Sequence, residues 1–286
     1  MKSEINISSL LSSERQNDQI KNQTGIDLEP FDNIIKLQDE LNTLTNPTWK
    51  NDKQDWITAI LVELGELIDS TPWKWWKNGE MDWANLEIEL IDIFHFILSI
   101  HIEEDLISSS KMLIVTRELD EQNGKLQKRT DDNIKTIINH IRNQFLVALS
   151  MKQYMNMFIL WLDLWHLSGK SINDLYLIYQ MKYTLNIFRQ NNGYKDGSYI
   201  KIWNGEEDNV VAQRLCLNID FKDKDFIKIL NKRLQTEYDT IEIEEKSLEN
   251  FVEKDLKWNL FFKEVPTSNR KVMIEFAEEY LKYNLS

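Results

Sequence analysis

Apolar residues recur with a helical period along most of this chain, and between Trp56 and Glu104 two such runs are interrupted by carboxylates at fixed spacing. Successive residues of a helix are about 100° apart. Trp56, Ile60, Glu63 and Leu67 therefore share one stripe, with Glu66 along its edge, and the expectation is that both carboxylates face inward. The second run, from Leu86 to Ile100, has hardly any polar face, so the spacing predicts a buried helix that carries Glu89 and Asp92 with it. A shorter amphipathic helix is expected over residues 32–44, with Gln38 and Asn42 one turn apart. Helical spacing returns over 134–150, 151–167 and about 171–190, where Gly169 closes one helix and Ser171 or Asn173 caps the next. Strand-like alternation is scarce. The chain is expected to be all-α, a helical bundle with an extra C-terminal helical segment.

The same pattern divides the chain. Residues 1–28 are polar, mixed in charge and without an insistent period, and are expected as an N-terminal arm. Residues 29–215 are expected as one all-α domain that carries the protein's chemistry, with a charged stretch at about 105–133 that reads as an insertion. Residues 216–286 are charged helical sequence with a break at Pro266 to Asn269, expected as an extension without catalytic residues. The connection STPWKWWKNGEMDW crowds Trp73, Trp75, Trp76 and Trp83 beside Lys74 and Lys77, more indole than a solvated loop normally exposes.

Composition narrows the class. A formal net charge of −13 speaks against binding a nucleic-acid backbone, which needs clustered Lys and Arg. The single cysteine, Cys216, cannot close an intrachain disulfide and fits a reducing compartment. No apolar run reaches the length of a membrane span, so the expectation is a soluble cytoplasmic protein with neither nucleic-acid nor membrane partners.

Charge also identifies the chemistry. Buried carboxylates without partners cost several kcal/mol each or give up their charge, so an E-x-x-E pair facing an E-x-x-D pair calls for a cation. All-oxygen donors suit Mg2+, or Mn2+, better than zinc. One E-x-x-E pair alone is usually the polar edge of an amphipathic helix; two on consecutive apolar helices point to a metal cluster. Further along, KYTLNIFRQNNGYKDGSYIKIWN places Arg189, Lys195 and Lys201 among Tyr194, Tyr199 and Trp203 on a glycine-containing loop. Basic loops are usually solvated surface, but in so acidic a protein this one reads as an anion site suited to a polyphosphate.

LQDELN at 37–42, ELGELIDSTPWKWWKN at 63–78, EIELIDIFHFILS at 87–99 and LNIFRQNNGYKDGSYIKIWNGEEDN at 185–209 resemble, in order, the motifs of the dimeric dUTPases. These are all-α nucleotide pyrophosphohydrolases related to the MazG-like enzymes. The resemblance implies that Glu63, Glu66, Glu89 and Asp92 bind Mg2+, and that Gln38, Asn42, Trp75 and Phe96 form the uracil and deoxyribose pocket with Asn186. It implies that Arg189, Tyr194, Lys195, Lys201 and Lys182 hold the phosphates, and that the protein is a homodimer. The activity implied is hydrolysis of dUTP, and of dUDP, to dUMP by an activated water that Glu63 or Glu66 orients. His95 lies beside this pocket by sequence, with packing as its competing role.

Three alternatives stand beside that expectation. One is a MazG-like pyrophosphohydrolase of other or broader specificity. Another is a di-iron carboxylate bundle, suggested by Asp92 and His95 at i, i+3, although such bundles use two Glu-x-x-His pairs. The third is a helical scaffold or regulatory protein whose carboxylates are structural.

Overall fold

A computed structural model describes residues 16–124 and 134–254 of the chain. Among them are ten helices: α1 (Gln16–Thr24), α2 (Glu29–Thr45), α3 (Trp56–Asp69), α4 (Trp83–Glu103), α5 (Ile107–Gln122), α6 (Ile134–Ser150), α7 (Tyr154–Leu167), α8 (Ile172–Asn191), α9 (Asp208–Cys216) and α10 (Phe226–Lys254). A hairpin of two-residue strands, β1 (Ile202–Trp203) and β2 (Glu206–Glu207), accompanies them. The all-α expectation holds.

The chain divides into two compact units. The larger takes the described residues up to 202 together with 206–234, beyond the boundary expected at 215. Its centre is α4, which packs against α2, α3, α5, α7 and α8. The reason is visible in the sequence: Leu90, Ile91, Ile93, Phe94, Ile97 and Leu98, all at most 1% exposed, fill one side of the helix, and Ile88, His95 and Ser99 on other sides are buried too. Such a helix is stable only when surrounded. Phe94 stacks on Trp161 of α7 at 4.3 Å between centroids, and Trp161 stacks in turn on Trp165 at 5.6 Å. The indole N–H of Trp161 donates to the Leu90 carbonyl at 2.7 Å, so the ring buries without an orphaned donor.

Caps set the helix ends. Asp55 accepts from the Thr58 backbone N–H at the start of α3, and Asp82 from the Asn85 N–H at the start of α4. Ser171 and Asp174 form a capping box on α8, which settles the choice between Ser171 and Asn173. Trp56 at the start of α3 donates to Glu103 at the end of α4 at 2.7 Å, locking the two as an antiparallel pair.

Two expectations need correction. The arm is not peripheral over its described part, because α1 and the turn after it bury Ile20, Ile26 and Leu28 in the core. Three apolar residues among many polar ones give no period, yet they are enough to dock a short helix. The stretch expected as an insertion contains α5, which places Ile114 and Val115 in the same core and packs on α7. Residues 1–15 of the arm, 125–133 of the charged stretch and 255–286 of the extension, including its break at Pro266, lie outside the described residues. The second unit joins Trp203–Gly205 to the chain from Gln235 onward; in it the Trp203 and Tyr238 rings lie 5.1 Å apart.

Candidate active site

The antiparallel pair α3 and α4 brings Glu63, Glu89 and Asp92 together, each offering a carboxylate oxygen within 4.8 Å of the others. Glu89 is only 5% exposed. Burial, then the charge of Asp92, then that of Glu66 pushes the Glu63 carboxyl up to about 7. Burial and the charge of Asp92 likewise push Glu89 up to about 8. Three acids held this close are short of positive charge, and an all-oxygen donor set of this kind fits a hard divalent cation.

Glu66 does not join them. It is exposed and lies outside the close triad, although it is near enough to raise the pKa of both glutamates. The reason is angular: the buried line of α3 runs through Ile60, Leu64 and Leu67, about 60° from Glu63 but about 120° from Glu66. His95 does not join them either: the group of donors that lie together among the described residues holds no histidine, where a di-iron bundle would use two, and His95 Nδ1 faces Gln38 Oε1 at 2.6 Å.

Partial compensation comes from a helix distant in sequence. Lys182 of α8 lies 2.8 Å from Asp92 and donates to Asn209 Oδ1 at 2.9 Å. Asn209 also accepts from Arg189, whose guanidinium holds Asp208 through two bonds of 2.8 and 2.7 Å. Asp208 is fully buried and accepts a further bond from the Tyr199 hydroxyl at 2.7 Å. Burial works against the charge on Arg189, but the Asp208 carboxylate outweighs it and holds the guanidinium firmly protonated.

Beside the acids lies a cleft of about 320 Å³. Glu63 and Asp92 line it, and so do Gln38, Asn42, Phe96, Asn186, Arg189 and Tyr194. Phe96 packs against Trp56, with ring centroids 6.1 Å apart, to form an apolar wall. The other expected residues stand apart. Trp75 is 89% exposed, in an edge contact with Trp76, and does not border the cleft. Lys201 is exposed and does not line it. Lys195 reaches its rim, donating to the Thr45 carbonyl at 2.9 Å. The loop bearing these lysines needs Gly193, whose φ is 91° and where a Cβ would collide with Ser198.

Sequence reasoning missed several residues. Trp49 and Trp56 line the cleft, and Ser99 and Tyr179 bind the two amides in it. Neither Ser99 nor Tyr179 carries a local signal, because each faces a partner remote in sequence. Asp208 closes an acidic run with Glu206 and Glu207, and nothing local marks it rather than its neighbours as the partner of Arg189.

An all-helical fold that sets a cluster of acids against a cleft lined by amides, an aromatic ring and an arginine has the groups that a nucleotide-cleaving enzyme requires. A family model described as dUTPase matches residues 30–194, more than half of the chain, and the chain belongs to that family. It is accordingly a dUTP diphosphatase, a hydrolase of nucleotide metabolism. Such enzymes depend on a divalent metal, which agrees with the acid cluster. A comparison with curated proteins gives no match.

Proposed function

We propose that the protein hydrolyses dUTP, and also dUDP, to dUMP with Mg2+ as its ion and Mn2+ as a substitute. The observation that carries this reading is the placement of Glu63 and Asp92 on the wall of the same cleft as Asn42 and Phe96. A base held against Phe96 would leave its phosphates toward the acids.

Glu63, Glu89 and Asp92 are the residues that would hold the ion, with Glu66 joining them from the exposed side of α3. A divalent ion bound there would supply charge compensation for the phosphate chain and acidify a water. Glu63, on the cleft wall beside the other acids, is the first candidate to orient an attacking water and accept its proton. Glu66, open to solvent, is the second candidate for that role. Arg189 would reach the phosphates with the donors that Asp208 leaves unused, and Tyr194 and Lys195 flank it at the rim. Lys182, tied to Asp92 and Asn209, would act on the phosphates through charge rather than contact. Trp75 and Lys201 would take part only if their loops moved inward. Asn186, on the cleft wall one turn before Arg189, would meet the sugar.

The protein would act as a cytoplasmic homodimer. Trp75, Trp76, Leu61 and Val62, on α3 and the connection after it, are at least half exposed and are candidates for the covered surface. A panel of dUTP, dUDP, dCTP, dTTP and UTP, with products separated by ion exchange, tests the activity. Turnover of dUTP and dUDP to dUMP with little from the others supports it; equal turnover of all five would make the protein a broad MazG-like pyrophosphohydrolase, and none would leave a scaffold.

A further inference from the structure

The two amides of α2 that line the cleft are not equivalent. Ser99 of α4 is fully buried and its hydroxyl donates to the His95 carbonyl at 2.8 Å. Its lone pairs are therefore what face Gln38 Nε2 at 3.1 Å and Asn42 Nδ2 at 2.9 Å. Both amide nitrogens must point at Ser99, since an oxygen there would meet no hydrogen. The second N–H of Gln38 goes to Asn42 Oδ1 at 2.8 Å. Gln38 Oε1 accepts from the Tyr179 hydroxyl at 2.7 Å and faces His95 Nδ1 at 2.6 Å, so Nδ1 carries the imidazole proton and Nε2 is bare. In keeping with this, Nε2 is buried with no partner. An unpaired lone pair is better tolerated in a protein interior than an unpaired N–H.

The consequence is that Gln38 has no free donor or acceptor, because all four of its hydrogen-bonding positions are taken inside the protein. Asn42 keeps one N–H and one lone pair of Oδ1. From this we infer that Asn42 alone reads the base edge, and that Ser99, His95 and Tyr179 are positioning residues that hold its amide in the orientation complementary to uracil. Uracil presents a donor at N3 and an acceptor at C4, and cytosine presents the reverse. With Oδ1 opposite N3 and Nδ2 opposite the C4 substituent, uracil completes two bonds, whereas cytosine sets lone pair against lone pair and N–H against N–H. Turning both amides over to suit cytosine would put two oxygens at Ser99, which has one hydrogen and already gives it to the His95 carbonyl. It would also move the imidazole proton to Nε2, where nothing accepts it. The inference rests on the uracil reading of the cleft made above.

The test measures kcat/KM for dUTP and dCTP on the full-length protein and on Ser99→Ala and Tyr179→Phe, and reads the His95 tautomer by 15N NMR on the unsubstituted protein. Ser99→Ala frees both amides to turn, so the dUTP preference should fall by about tenfold or more, with the loss on dUTP appearing in KM more than in kcat. Tyr179→Phe removes one donor and should lower the preference in the same direction by less. The NMR pattern should be that of an Nδ1–H imidazole, a readout that holds even if a variant folds poorly. A selective parent whose selectivity survives both substitutions, or an Nε2–H imidazole, overturns the inference and leaves the uracil reading standing. A parent that treats dUTP and dCTP alike ends both.

Discussion

Lys182 Nζ lies 2.8 Å from Asp92 Oδ2 with only 2% of the lysine side chain exposed, so an ammonium that relieves the acid cluster comes from a helix ninety residues away in sequence. Removing one partner of a buried pair leaves the other uncompensated. Lys182→Met should therefore destabilise the metal-free protein by about 3 kcal/mol in chemical denaturation. An unchanged denaturation midpoint would mean that Asp92 draws its compensation from solvent.

The glutamates of the cluster make a prediction about pH. Glu63 and Glu89 have folded-state values of about 7 and about 8 against 4.5 for the unfolded chain. Between these limits the folded state binds more protons than the unfolded one, so their contribution to stability is intact below about 4.5 and is lost as the pH rises toward 8. In a chelator, the melting temperature of the unsubstituted protein should fall relative to that of Glu89→Gln from pH 5 to pH 8.5, and a divalent cation should reverse the trend. Parallel melting curves across that range would show that the acids are relieved without an ion.

Activity and stability should part company at the same positions. Glu63→Gln removes a charged ligand while easing repulsion, and Asp92→Asn removes one at the cost of the Lys182 pair, so either protein should stay helical, the second less stable, yet lose most metal-dependent turnover, about a hundredfold or more. Circular dichroism alongside a turnover assay measures both. Near-normal rates would move the metal site elsewhere.

Much of this site was legible in the sequence, and what was not shares a cause. The period near 3.6 locates Glu63, Glu89 and Asp92 because each sits on or beside an apolar stripe. It cannot resolve the 60° or so that separates the flank of a helix from its outer face, and so it placed Glu66 inward. Gln38 and Asn42 are visible as a pair one turn apart, but their partners Ser99 and Tyr179 are 61 and 141 residues from Gln38 and no local pattern joins them. The tryptophans of the α3–α4 connection suggested a pocket, while the indoles that line the cleft are those of Trp49 and Trp56. Composition signals apolar surface without saying which of its members is buried.

Arg189 offers a test of architecture. Its two bonds to the fully buried Asp208 make it structural before it is anything else. Arg189→Lys cannot reproduce the fork and should cost about 2 kcal/mol of stability, as well as weakening phosphate binding. A substitution that raised KM with no loss of stability would assign the guanidinium to the ligand alone.

The apolar surface of α3 and its connection predicts association. Light scattering should give twice the chain mass at micromolar concentration, and Trp76→Ser with Leu61→Ser should shift it toward the monomer. A fully active monomer would contradict a shared interface.

The most direct measurement is release of pyrophosphate from dUTP by the full-length protein in chelator and after adding Mg2+. Turnover that is absent in chelator, appears with Mg2+ and yields dUMP and pyrophosphate in equal amounts is the expected result. Turnover indifferent to Mg2+, or phosphate released one at a time without pyrophosphate, would contradict it.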